Sequence, residues 1–449
     1  MILKRTSNIK VENLFLVLAT IFIFSFIVIF PINRIPDEMN HARMTWEILH
    51  KPTSDSFKWM EEVPIDAELR PSEYSQIFSQ KLDMSKETFH FGFNLKAISF
   101  IPQLVGMTLG SWMSPSVGMI VYMGRIFNAL AYILGIYFLI RYFKYGKMAL
   151  LFISLLPIMV QQAASLSYDV MNYLEIMIAI GFMTNLAYHK KFTNRHLGQV
   201  AIISILLLAT KPNNFLLLGL IPFIPFEFEG WLSFLNHPVK VIKSFVARFK
   251  YLFYILALIA LVFILQFLMR NQGGLLHYGQ VLMNTLVNQN VNEHLNTILT
   301  IGMFGYFGNF TIQMPLWLIF VDVAVLVLVF LANQETFFSK DYAFLSVLMF
   351  GLQVLAAVTV MYLQWTPLVL GNGADISVGS QGRYFTPFLI LLLPLLANLG
   401  KFEISQKKIL NIIAWTLVVN FLISLYLIIP YYWICLLYTS DAADDGLWV

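Results

Sequence analysis

Asp37 and Glu38 open a short polar motif, PDEMNH (Pro36 to His41), immediately after the first apolar stretch. Two carboxylates and an imidazole are costly to hold beside a bilayer, so they are the first candidates for chemistry. Pro36-Asp37-Glu38 suits a helix start, with proline in the first turn and acids at the positive end of the dipole. On that helix Asp37 and Glu38 stand four and three residues before His41, so the three share a face. Dipole compensation alone accounts for the pattern. A divalent ion (Mg or Mn) held by Glu38 and His41 is the other reading of it.

Three more polar positions stand out along the chain. Asp169, in SLSYDVMNY, either caps the helix that follows or supplies a second acid, and Asn172 and Glu175 extend a polar stripe from it. Lys211, at the tip KPNN, and Arg383, in VGSQGRYFTP, are cations on the side where few are expected. They either snorkel to lipid headgroups or bind a phosphate, which arginine grips bidentately. Gln381 and Tyr384 flank Arg383 and join it as candidate substrate-binding residues. Gly379 and Gly382 let the backbone approach a ligand, or simply turn the chain.

The elements that must position these residues are membrane helices. Hydrophobic residues make up 58% of the chain and charged ones 12%, against about 25% charged in an ordinary soluble domain. Its apolar runs approach the roughly 20 residues a helix needs to cross hydrocarbon. Cys435 is the single cysteine, which excludes disulfides, thiolate metal sites and cysteine nucleophiles. The abundant Phe and Tyr are expected on lipid-facing and interfacial surfaces. No internal repeat is evident. The last residues, CLLYTSDAADDGLWV (Cys435 to Val449), resemble a translated sequencing adapter and are set apart from the fold.

Loop charges orient the spans. Lys4, Arg5 and Lys10 place the N-terminus in the cytoplasm, with Leu14 to Ile32 as an uncleaved anchor. Asn33 to Phe93 carries 11 acidic and 7 basic residues and is expected outside. Phe100 to Trp112 is short and interrupted by Pro102, Gly106 and Gly110, and reads as an interfacial or re-entrant helix. Spans then follow at Val117–Ile140, Met148–Leu166 and Val170–Tyr188, a hairpin at Leu197–Phe228, and spans at Tyr251–Met269, Met314–Leu331, Tyr342–Leu363, Tyr384–Leu399 and from Ile409. The expectation is an all-α polytopic bundle of about eleven spans forming one membrane domain over residues 1–434. External loops are expected at 33–116, which carries juxtamembrane helices, and at 270–300 and 364–382. Asp37, Glu38, His41, Asp169, Lys211 and Arg383 then gather on the outer side.

PDEMNH, LPIMVQQAASLSYDVMNY (Leu156 to Tyr173) and QGRYFTP (Gln381 to Pro387), in that order, resemble the bacterial membrane family catalogued as domain of unknown function 2142. IPQLVG and YMGRIFNALAY fit as well, so the likeness covers nearly the whole chain. That family is similar in layout to the GT-C glycosyltransferases, multi-span enzymes that take a sugar from a polyprenyl-phosphate carrier at the outer membrane face. The resemblance implies a GT-C-like bundle with an acid in the first external loop, matched by Asp37, and a second acidic site, matched by Asp169. The lone Asp169 departs from the paired acids that oligosaccharyltransferase relatives use for a metal. Partners implied are a polyprenyl-phosphate-linked sugar donor and membrane lipids; nucleic acid is not among them. Two other readings stay open: a transporter or flippase of a lipid-linked glycan, with Glu175 and Asp322 as its buried acids, and a non-catalytic component of surface-polysaccharide assembly. A transferase requires its carboxylates to converge; a scaffold leaves them dispersed.

Overall fold

Helices begin and end here where proline, glycine and charge interrupt the apolar runs. The computed structural model describes residues 10–51, 71–287, 298–332, 337–399 and 403–434. Lys4, Arg5, Glu293, His294, Lys401 and the tail from Cys435 lie outside them. In chain order the α-helices are α1 (Val11–Ile29), α2 (Glu38–Trp46), α3 (Pro71–Ser79), α4 (Ile101–Met113), α5 (Val117–Tyr142), α6 (Lys147–Ser154), α7 (Pro157–Ala163), α8 (Asp169–His189) and α9 (Asn194–Thr210). They continue with α10 (Asn236–Arg248), α11 (Lys250–Met269), α12 (Gly274–Leu286), α13 (Ile301–Phe304), α14 (Leu316–Leu331), α15 (Lys340–Gln364), α16 (Thr366–Leu370), α17 (Leu393–Leu399) and α18 (Gln406–Ile429). The only strands among the described residues are two-residue pieces. β1 (Lys191–Phe192) pairs in parallel with β2 (Glu227–Phe228), and β3 (Tyr306–Phe307) pairs antiparallel with β4 (Ile312–Gln313).

Among the described residues, six helices are long and apolar enough to cross a membrane: α1, α5, α8, α11, α15, and α18 with its π turn to Ile434. The other segments expected as spans are shorter or broken. Pro157 divides Met148–Leu166 into α6 and α7, since a helix-interior proline lacks the N–H and clashes with the carbonyl four residues back. The expected hairpin is present: α9 meets the 3-10 helix Pro212–Phe223 at Lys211. At about 2.0 Å per residue, that 3-10 helix covers about 24 Å with twelve residues. The last broken segment pairs the 3-10 helix Thr386–Leu392 with α17.

Burial ranks the helices. Of its apolar window, 89% of α8 is buried within the bundle and only 6% of α11, so α8 is the central helix and α11 lies exposed at the outside of the bundle, as a lipid-facing span would. The expected interfacial helix is α4, which lies along α5 through a Gly106–Gly110 face. A Cβ on Gly106 would stand 2.3 Å from the Met123 carbonyl oxygen, and one on Gly110 would stand 2.8 Å from that of Met119. Small residues spaced four apart let helix backbones meet in this way. Residues 270–287 and 364–382 meet in one lobe: Gln272 Nε2 donates to Asn372 Oδ1 at 3.1 Å and Ser377 N to Thr285 Oγ1 at 2.9 Å.

Candidate functional site

The chain leaves α1 at Phe30 and re-enters a helix at Glu38. One arginine fixes that elbow. Arg125, in the middle of α5, donates to both Glu38 carboxylate oxygens at 2.7 and 2.6 Å, and neither side chain is exposed. Its remaining N–H groups go to the carbonyls of Ile27, Phe30 and Pro31, the unsatisfied acceptors at the end of α1. Asn33 N and Leu166 N also donate to Glu38. The sequence expectation for Glu38 is therefore revised: its oxygens are fully engaged, and it ties the elbow to α5 instead of offering a ligand to substrate or metal.

Asp37 takes the left-handed conformation, φ 64° and ψ 7°, at the start of α2. Aspartate tolerates this region better than most residues, at a cost of about 1 kcal/mol. With its neighbour Glu38 held inside the bundle, Asp37 meets Arg383: NH2 lies 2.7 Å from Asp37 Oδ2. Gln381 Nε2 lies 3.4 Å from the same oxygen. Arg383 stands in the 3-10 turn Gly382–Tyr384, where a Cβ on Gly382 would sit 2.3 Å from the Gly302 carbonyl carbon. The close approach allowed by Gly382 is thus to the backbone of α13. Gly379, at φ 95°, serves as a turn.

Asp169 opens α8 and receives Arg383 from the other side, with Nε 3.3 Å from Oδ2. Its second oxygen accepts from Lys211 Nζ at 2.8 Å. The loop before it is held by Asn128 Nδ2, which donates to the carbonyls of Ser165 and Ser167 at 2.8 Å each. Lys211 projects from the α9 hairpin tip over the Tyr384 ring, 3.8 Å from its centroid, and lies 5.3 Å from that of Tyr168. Farther along α8, Asn214 Nδ2 donates to Asn172 Oδ1 at 2.6 Å, and Thr210 bonds Glu175. The polar stripe of α8 is thereby joined to the hairpin tip.

His41 packs edge-on against Tyr168, centroids 4.6 Å apart, and its Nδ1 has no hydrogen-bond partner among the described residues. Burial lowers its pKa to about 4, with Arg383 and Lys211 acting in the same direction and Asp169 and Asp37 opposing. It is neutral at pH 7 and free to accept a hydrogen bond at one nitrogen.

Asp37, His41, Asp169, Lys211, Gln381, Arg383 and Tyr384 therefore form one cluster, with charges alternating as Asp37, Arg383, Asp169, Lys211. Asp37 is 38% exposed and Lys211 19%, against 1–2% for Asp169 and Arg383, so the cluster opens at its Asp37 and Lys211 ends. The unpartnered Gln381 Oε1 and His41 Nδ1 add acceptors to it. Among the described residues no group of three or more acid or histidine side chains is placed to hold a metal ion; here Glu38 is engaged by Arg125, and Asp37 and Asp169 each touch a cation. The site suits an anionic group that has a neighbouring hydroxyl to deprotonate. Sequence reasoning missed Arg125 and Tyr168. An arginine within an apolar span was the available signal for the first; nothing marks the second.

A family model described as predicted membrane protein (DUF2142) matches residues 20–392, which span every residue of this cluster. No curated protein and no solved structure matches the chain.

Proposed function

Because the chain belongs to the predicted membrane protein family DUF2142, we propose that it works at the membrane as a GT-C-like glycosyltransferase. It would move a hexose or pentose from a polyprenyl-phosphate carrier to a cell-surface glycan, lipid or protein, at the outer face of a bacterial cytoplasmic membrane. The observation that carries this reading is Arg383 held between Asp37 and Asp169, with Lys211 beyond. Two cations for a phosphate and two acids for hydroxyls meet at one end of the bundle. In this topology the broken segments complete about eleven crossings, and the basic ends of α5 and α10 face the cytoplasm together with the N-terminus.

The acceptor hydroxyl attacks the anomeric carbon, the sugar–phosphate bond breaks, and the phosphate departs with an additional negative charge. Arg383 and Lys211 stabilise that charge. Asp37, the more exposed acid, takes the acceptor proton; the buried Asp169 orients the sugar. Without donor, Asp37 is held by Arg383. The arriving phosphate competes for Arg383 and frees Asp37, so donor binding switches the base on. Neutral His41 accepts a sugar hydroxyl, with Gln381 and Tyr384 forming the wall.

Transfer from a panel of labelled polyprenyl-phosphate sugars, with the protein in nanodiscs, tests the proposal. Asp37→Asn is expected to lower transfer by about 100-fold or more while donor binding persists. Full transfer by that variant would remove the base assignment. A transporter reading draws on Glu175 and Asp322, but each is hydrogen-bonded locally, to Thr210 and to Asn420, in separate helix pairs. A scaffold gives no reason for the alternating charges.

A further inference from the structure

The helix α10 has no buried residue, although six of its thirteen residues are apolar. Ile242, Phe245, Val246 and Phe249, at helical spacing i, i+3, i+4 and i+7, form one stripe with 61%, 55%, 37% and 39% exposure. The opposite face carries Lys240, Ser244 and Arg248, with Lys243 beside them. From Gly230 to Met269 there is no aspartate or glutamate.

Its position follows from its neighbours. The Asn236 side chain clips it to β2, accepting from Phe228 N at 2.7 Å and donating to Phe228 O at 2.9 Å. β2 pairs with β1, just beyond the C-terminal end of α8. The helix therefore sits at the end of α8 opposite Asp169, about 30 Å away at 1.5 Å per residue. Its last residue, Arg248, is followed at Lys250 by α11, the lipid-facing span. An apolar stripe directly beside a span entrance, with cations on the other face, is the pattern of a helix lying along a bilayer surface. Trp231 and Phe234, 60% and 63% exposed just before it, are residues suited to the headgroup level.

We propose that α10 is an in-plane membrane helix whose basic face selects anionic phospholipid headgroups at the bundle end opposite the Asp37–Asp169 cluster. Lys240 and Arg248 on one face, with Lys243 beside them against Ile224 O and the Phe226 ring and no acid in the sequence from Gly230 to Met269, give charge complementarity that marking topology alone does not require. The selection is independent of the transferase reading.

The test uses the full chain in phosphatidylcholine vesicles, with C435S as background and a bimane label at F245C or S244C. Brominated phosphatidylcholine or brominated phosphatidylglycerol is added at equal mole fraction. The 245 label is expected to be quenched by both lipids and the 244 label weakly. Quenching at 245 should report about fivefold local enrichment of the anionic lipid, equivalent to about one basic contact at the surface. That preference should vanish when K240Q/K243Q/R248Q is added to the labelled chain, and shrink at high salt in the labelled chain that keeps its cations. A 245 label unquenched by either lipid would overturn the proposal, indicating solvent or a protein partner on that face. Equal quenching by the two lipids would overturn the anionic selection.

Discussion

Arg383 touches two acids at once, and a lysine in its place could not hold both, because the planar fork that spans them is lost. R383K is expected to lower transfer by about tenfold and R383Q by about 100-fold, the scale of removing one donor to developing charge. Glu38 and Arg125 behave differently. R125M strands a buried carboxylate and is expected to cost about 3–5 kcal/mol, read as lost monodisperse protein after heating. E38L/R125M should recover part of that loss, because the unpaired charge is gone while the α1 carbonyls still lack their donor. Equal stability of the single and double variants would contradict the assignment. His41 adds a pH signature. Its folded-state pKa of about 4 lies below the usual 6.5, so the unfolded chain binds the proton first as pH falls. Stability should decline from about pH 6.5 toward pH 4, and H41Q should flatten part of that decline; His50, also lowered by burial, retains the rest. Asp37, Asp169, Lys211 and Arg383 were legible because charge beside a bilayer is conspicuous. Glu38 looked equivalent to Asp37 in sequence, since only the fold reveals that an arginine 87 positions later consumes it.

At the level of elements, backbone contact and proline decide what composition alone does not. The Gly106–Gly110 face of α4 admits no side chain, so G106L should detach the helix from α5 and lower the melting temperature. G198A in α9 is the matched control. A Cβ there meets nothing within 4 Å, so the change should be neutral or raise stability by about 0.5–1 kcal/mol. A destabilised G198A would contradict that geometry. Hydropathy located the apolar segments well, including the α9 hairpin with Lys211 at its tip. It did not show where they are interrupted: about eleven spans are expected, and among the described residues six helices are long enough to cross unaided. Pro157 lies inside an apolar run that hydropathy reads as one span, yet α6 ends before it and α7 starts at it. The tight α4–α5 contact was not legible, because a pair of glycines reads equally as a weak helix or as a close helix contact.

Across the whole molecule, residues 37, 169, 211 and 383 come from four distant segments, and the bundle delivers them to one end. Basic α10 lies at the other. This polarity fits a protein that reads a lipid-borne phosphate on one side and a charged leaflet on the other. The most direct measurement is binding of a polyprenyl monophosphate to the purified protein in nanodiscs, followed by native mass spectrometry. The unsubstituted chain should retain the lipid, R383Q and K211Q should each weaken binding by at least about tenfold, and G198A should bind as the unsubstituted chain does. Binding that is absent, or unchanged in R383Q and K211Q, would contradict the phosphate site on which the proposed transfer depends.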